Sequence, residues 1–269
     1  MKIIRTLAVA AVVTLASMSV ASAADLNCQG PANVEDFRYS WRVRGGLRWV
    51  AGLVFPTSGV GNLKTTFPAA AGSAVHSELL ITAPNGRAGG FYSYESDMDP
   101  RGNRTLMTYH GYAWGAKARN ERTIFDYVKR LMRIRKQTPE KVEDKVKALP
   151  ARQDQVRDVL TAIYFLRHNA SSLTGPMQTS VFSDGKEYPV VFRPLGERRS
   201  FVIDGKSIAA TGFEIVDAPG GKKWPGGVRV WLSDDTRRIP FRIEIQQSVA
   251  TLQLDLQSVE SCAFLSARK

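Results

Sequence analysis

Leu252, Leu254 and Leu256 alternate with Gln253 and Asp255. That period of two places one face of a β-strand in a core and the other in water. Similar short runs, rich in β-branched and aromatic residues and broken by Gly, Pro, Asn or Asp, occupy 37–43, 47–55, 77–82, 91–96, 105–113, 187–193, 200–203, 228–232, 240–245 and 250–256. Asp184-Gly185 and Asp204-Gly205 each separate two such runs, the residue pair favoured in two-residue hairpin turns, which need positive φ. A chain patterned this way forms antiparallel sheet. Its 269 residues suffice for one large β-rich domain or two small ones. No fixed-period repeat divides it, and 218–227, with its Pro and Gly, reads as an exposed loop.

One segment has a different period. Over 155–167 the apolar residues Val156, Val159, Leu160, Ile163, Tyr164 and Leu166 recur at helical spacing. Asp154 or Asp158 is placed to cap the start, where a carboxylate meets free backbone N–H groups. A helix this apolar, alone among strands, belongs against the sheet or inside its curvature. Residues 122–149 fit two patterns. Ile124, Tyr127, Val128, Leu131 and Ile134 make a helical stripe, whereas Phe125, Tyr127 and then Val128, Met132 and Ile134 make strands with a slip between faces. Spacing alone favours helix. Lys129, Arg130, Arg133, Arg135 and Lys136 form a basic edge in either case.

The first residues predict export. Lys2 and Arg5 precede an apolar stretch over 7–20, and Ala21-Ser22-Ala23 supplies the small-x-small pattern that a signal peptidase cuts. Residues 1–23 are therefore expected to be a signal peptide, removed before Ala24. The apolar stretch falls short of the ~20 residues a spanning helix needs, and no later one is long enough. Residues 24–269 are expected to form a single β-rich domain in the periplasm, not spanning the membrane. In an oxidising compartment an even cysteine count favours pairing. Cys28 and Cys262 are expected to form a disulfide that closes a loop of about 235 residues, for which chain entropy sets a ceiling of roughly 5 kcal/mol. The bond requires their two segments to lie side by side. The net charge is +12, two units of which belong to Lys2 and Arg5. Such a surface favours anionic neighbours, such as lipid headgroups, lipopolysaccharide phosphates or acidic glycans. Export and the want of a recognisable binding motif argue against nucleic acid.

Catalytic and metal motifs find little support. His76, His110 and His168 are scattered and no cysteines have ligand spacing, so neither a metal nor a cofactor is expected. Asp97, Asp99 and Asn103 begin like a calcium loop, but Asp99-Pro100 breaks it and no Glu closes it in place. No G-x-S-x-G elbow occurs. Gly205-Lys206-Ser207 sits between strands and reads as a turn rather than the end of a phosphate-binding loop. Asp234 and Asp235 are adjacent and diverge, unlike a facing acid–base pair.

Val230-Trp231-Leu232-Ser233-Asp234-Asp235, followed by Arg238-Ile239-Pro240-Phe241-Arg242-Ile243, resembles the Trp-Leu-Ser-x-Asp…Pro-Val-x-Ile signature of an exported bacterial family, domain of unknown function 3108. Upstream, Asp158, Leu160, Ala162, Tyr164 and Arg167 resemble that family's Asp-x-Leu-x-Ala-x-Tyr-x-x-Arg helix, and Gly185-Lys186-Glu187-Tyr188 its following strand. The resemblance is clearest over 158–256. It implies a mainly β (α+β) fold: a curved antiparallel sheet, open barrel or β-spiral, wrapped around one main helix near 155–168, similar to the lipoprotein-carrier (LolA/LolB-like) folds. It also favours strands over 122–149, against the spacing. The signature residues Asp158, Tyr164, Arg167, Trp231, Ser233, Asp235 and Pro240 read as structural. Trp231 and Leu232 face opposite sides of a strand, 233–235 make a turn, and Pro240 starts or edges the next strand.

Aromatic residues, Phe55, Tyr94 and Tyr112 among them, crowd the first third. Trp41, Trp49, Tyr92, Tyr109 and Trp114 either line an apolar pocket inside a curved sheet or serve as ordinary core and cross-strand pairs. Three functional readings stand at this point. The first is a non-enzymatic envelope protein binding a lipid, an acyl chain or a lipoprotein in the sheet's concavity. The second is a scaffold for envelope integrity acting through protein partners. The third is a cell-wall or glycan hydrolase.

Overall fold

The computed structural model describes residues 26, 31, 33–45, 56–70, 72–83, 90–114, 117–149, 155–183, 185–220, 223–224, 226–247 and 250–261. Among them the strands are β1 (Val34–Arg44), β2 (Ser58–Thr66), β3 (Val75–Ala83), β4 (Gly90–Met98), β5 (Thr105–Trp114), β6 (Lys117–Asp126), β7 (Leu131–Gln137), β8 (Val142–Ala148), β9 (Met177–Ser183), β10 (Lys186–Ile203), β11 (Lys206–Asp217), β12 (Gly226–Ser233), β13 (Pro240–Gln247) and β14 (Thr251–Ser261). One helix, α1 (Val159–Asn169), lies between β8 and β9. Strands β1 to β8 pair in sequence as one meander and β9 to β14 as another. Antiparallel pairing of β1 with β14 joins them into a single 14-stranded sheet with β8 and β9 at its edges. The fold is mainly β, a curved and unclosed antiparallel sheet.

Alternation decides what faces inward. Phe37, Tyr39 and Trp41 of β1 pair across to Leu63, Gly61 and Gly59 of β2 and to Val259, Leu256 and Leu254 of β14. β2 escapes a hydrophobic reading because two of its inward positions are glycines. At Gly59 the Trp41 indole crosses the strand and donates to Thr82 O at 2.9 Å. A side chain at Gly59 would stand 2.7 Å from the indole nitrogen.

Helix α1 lies inside the roll. Every residue from Leu160 to Arg167 is buried, and Leu160, Ile163, Phe165 and Leu166 join Phe37, Leu79, Phe192 and Leu254 in a core drawn from both meanders. Burying each such side chain contributes ~1.5–3 kcal/mol. The helix starts later than its apolar period suggests. Residues 155–158 precede the helix and bridge the two meanders: Thr105 N donates to Val156 O at 2.7 Å and Phe182 N to Arg157 O at 2.6 Å. Arg157, buried, donates to Gly102 O, Gln155 Oε1 and Thr179 Oγ1 and stacks over Phe165. Desolvation lowers its pKa to about 10. Gly102 (φ 67°) approaches the helix so closely that a Cβ would meet Tyr164 at 2.6 Å.

Residues 122–149 are strands: the end of β6, then β7 and β8. The helical spacing was misleading because Tyr127 to Arg130 form a turn, with Arg130 at φ 53°, that resets the phase between two inward faces. Phe125, Met132 and Ile134 point in. They do not meet α1. They cover Phe182, on the face of β9 turned away from the helix, with Phe125 and Phe182 edge-on at 5.0 Å. One end of the sheet thus overlaps the other, as in a spiral. Among the described residues no helix is long and apolar enough to cross a membrane.

Candidate functional site

The family-like residues gather at the two ends of α1. At its C-terminal end the buried Arg167 forms a bidentate ion pair with Glu35 of β1, at 2.7 and 2.9 Å. It also donates to the carbonyls of Arg238 and Arg237 at 2.9 and 3.1 Å. Those carbonyls belong to a turn that organises itself. Ser233 Oγ contacts Asp235 Oδ1 at 2.6 Å and accepts from Ile239 N, while Asp235 also holds Arg237 Nε at 2.9 Å. Asp234 is engaged by Thr211 Oγ1 at 2.6 Å and by Arg198. Pro240 O, at the start of β13, accepts from the buried Tyr39 hydroxyl at 2.8 Å. Burial raises the Tyr39 pKa despite nearby Arg167. Trp231 and Leu232 do face opposite sides, and both are buried: Leu232 joins the inner core, while Trp231 is covered on the outer face by Arg199 and Arg242.

At the N-terminal end Asp158 is the cap. Its Oδ1 accepts from Thr161 N at 2.7 Å. Around it lie buried hydroxyls: Thr105 Oγ1 accepts from Asp158 N at 2.8 Å and donates to Thr161 Oγ1 at 2.8 Å, and Ser96 Oγ stands 2.9 Å from Thr161 Oγ1. Asp158 Oδ2 makes no well-aligned hydrogen bond. Burial pushes the carboxyl up to about 6, against the pull of Thr161 N and the surrounding hydroxyls. Tyr164 packs against Phe67 with Val75 and Met98 beside it.

Beyond the helix the inner face changes character. Tyr94, on the inner face of β4, stacks on His110 of β5 at 5.2 Å. Two residues along each strand, Tyr92 and Tyr112 form the next inward cross-strand pair, yet both are 39% exposed. Across from them on β6 stand Arg119, opposite Tyr112, and Glu121, opposite His110; Lys136 of β7 lies opposite Glu121. Glu121 is buried, with Oε2 2.8 Å from Arg119 and 2.7 Å from Lys136. Burial pushes its pKa up, but the two cations outweigh that and hold it below the usual carboxylate value. Two cations against one carboxylate leave this end of the concavity positive. The roll is therefore plugged by α1 at one end, while its other end keeps inward aromatic rings in water beside basic groups.

The five aromatics singled out from the sequence divide. Tyr92 lies at this open end. Trp41 is buried in the core with its N–H engaged. Tyr109 pairs with Glu95 on the outer face of β5 and does not line the concavity, since the inward phase of that strand is set by Thr108 and His110. Trp49 and the Trp114 side chain lie outside the described residues, as do Cys28, Cys262, Asp154 and residues 1–23. Arg119 and Glu121 were not found from the sequence, and Lys136 only as part of a basic edge. Their alternation becomes readable only once β5 to β7 are known as strands. Among the described residues, no three His, Cys, Asp or Glu side chains gather to hold a metal ion.

Comparison with known proteins gives a family and a fold. The model of the family "Protein of unknown function (DUF3108)" matches residues 77–257. A crystal structure of a β-barrel-like protein of domain of unknown function DUF1849, from Brucella abortus, superposes with a TM-score of 0.56 at 9% identity, covering 86% of this chain and 98% of that one. No curated protein matches.

Proposed function

The chain belongs to the DUF3108 family of proteins of unknown function, and from that membership and the geometry above we propose that it is a non-enzymatic binding protein of the cell envelope. It takes an amphipathic molecule, with an acyl or similar apolar body and an anionic head, into the open end of its rolled sheet. The observation that carries this reading is the inward pair Tyr92 and Tyr112, left 39% exposed on a face that is elsewhere core. Aromatic rings on the inside of a curved sheet lose water only when something lies against them. Ile81 and Tyr94 continue the apolar floor beneath them, and Arg119 and Lys136 supply charge for the head. The carboxylate at this end is tied to both cations, which suits holding a ligand better than moving a proton.

Export supports the address: the charged, apolar and small-residue segments of 1–23 fit a cleaved signal peptide, and the periplasm is the compartment we propose. A titration with a dansylated fatty acid tests the site. Binding should appear with wild type and weaken about tenfold when Tyr92 and Tyr112 are both replaced by Ala, given the area each ring offers. An unchanged affinity in that variant, or no binding by wild type, would remove the reading.

A second reading has its own support. Helix α1 fills the other end of the concavity, as a scaffold acting through protein partners would require. It predicts envelope sensitivity to detergent on deletion, with no bound small molecule in native mass spectrometry of protein from an envelope extract.

A further inference from the structure

We propose that the outer face of β6 to β8 docks onto an anionic phospholipid surface. This face is separate from the inner concavity and independent of any ligand held there. Register places Arg122 of β6 directly opposite Arg135 of β7, and Arg133 of β7 between Ile124 of β6 and Val146 of β8. All three guanidinium groups are exposed, and none meets a carboxylate within ion-pair distance among the described residues. Like charges directly opposed across strands destabilise a sheet, so the Arg122–Arg135 pair costs the fold something that anionic partners would return. Asp144 is the acid nearest in register, opposite Arg135; Asp126, at the end of β6, is turned to Lys129 N at 2.8 Å.

Apolar groups lie among these cations. Val128, in the turn between β6 and β7, is 94% exposed, Val146 67%, and Ile124 and Val142 nearly half. A soluble acidic partner would need only the charges. Cations interleaved with protruding aliphatic side chains match the headgroup region of a bilayer, where phosphates meet the first methylenes. Lys129, exposed in the same turn, adds to the positive rim beside Val128.

The test is sedimentation of the purified full chain with vesicles of phosphatidylglycerol and phosphatidylcholine, beside vesicles of phosphatidylcholine alone. Wild type should sediment with the first and not the second, and about 1 M salt should release it. Replacing Arg122, Arg133 and Arg135 with Gln should lower the partition coefficient about 100-fold, since each cation near such a surface contributes about 1 kcal/mol. Replacing the same three with Lys should retain most of it. The Val128→Ser/Val146→Ser variant should also bind more weakly. The substituted side chains are exposed, and matching circular dichroism and thermal midpoints would confirm the fold of each variant. The proposal is overturned if wild type ignores anionic vesicles, if the Gln variant binds as well as wild type, or if the Val variant is unaffected while heparin competes fully. That last outcome would identify a soluble polyanion as the partner. Concentration-dependent dimerisation abolished by the Gln variant, without vesicle binding, would assign the face to a second copy of the chain and equally overturn it.

Discussion

Asp158 is pulled in two directions. Its carboxylate caps α1, where the helix end favours negative charge, but it is fully buried and one oxygen makes no well-aligned hydrogen bond. The folded protein therefore holds its proton up to about pH 6, whereas an unfolded chain releases it near pH 4. A raised carboxyl pKa means the native state binds more protons than the unfolded state between those values, so stability falls as pH rises through that window and stays lower above it. Holding that proton from about pH 4 to about pH 6 corresponds to roughly 3 kcal/mol. In Asp158→Asn the amide oxygen still accepts from Thr161 N and no charge is buried. Urea unfolding should give nearly equal stabilities for the two proteins at about pH 4, with the Asn variant ahead by up to ~3 kcal/mol at neutral pH. Profiles that stay parallel across the window would mean that burial does not govern this carboxyl.

Helix α1 is positioned by its ends as much as by its apolar sides. Arg167 fixes the last turn to β1 through Glu35 and to the 233–240 turn through two carbonyls. Removing the guanidinium strands a buried carboxylate, so Arg167→Met should cost ~3–5 kcal/mol in denaturant unfolding. Adding Glu35→Leu should recover part of that loss, because an apolar replacement of a buried pair is often close to neutral. It should not recover all of it, because the carbonyls of Arg237 and Arg238 would still lack a donor. Full recovery in the double variant would show that the turn is indifferent to the helix. The sequence already showed the helix and most strands, since apolar period and turn chemistry are local. Two of the misses have definite reasons. β2 carries glycines where Tyr39 and Trp41 need room, so it shows no apolar alternation. The turn at 127–130 joins two inward phases into a false helical stripe. The open end of the concavity was legible only in its aromatic rings, because Arg119, Glu121 and Lys136 become inward residues through strand phase rather than through type.

At the scale of the whole molecule the decisive contact is between segments distant in sequence. Pairing of β1 with β14 makes one sheet of two meanders, and nothing in the local pattern of either strand announces its partner. The expected Cys28–Cys262 bond would demand that their neighbourhoods meet. The neighbourhoods do meet, with Asp36 opposite Ser261 and the Ser261 hydroxyl 2.6 Å from Val34 O and 3.1 Å from Pro31 O. We therefore propose the disulfide as the covalent clasp of that seam. In protein exported to an oxidising compartment, maleimide should label neither thiol until a reductant is added. Non-reducing peptide mapping should recover the two cysteines in one fragment. Reduction, or Cys28→Ser with Cys262→Ser, should lower unfolding stability by ~2–4 kcal/mol, below the roughly 5 kcal/mol ceiling for so long a loop, because residual structure in the unfolded chain already restricts it. The loss should appear mainly as faster opening at the β1–β14 seam, read by amide exchange in those two strands. Free thiols in the exported protein, or exchange at that seam unchanged by reduction, would leave the pairing of β1 with β14 to its hydrogen bonds and core contacts alone.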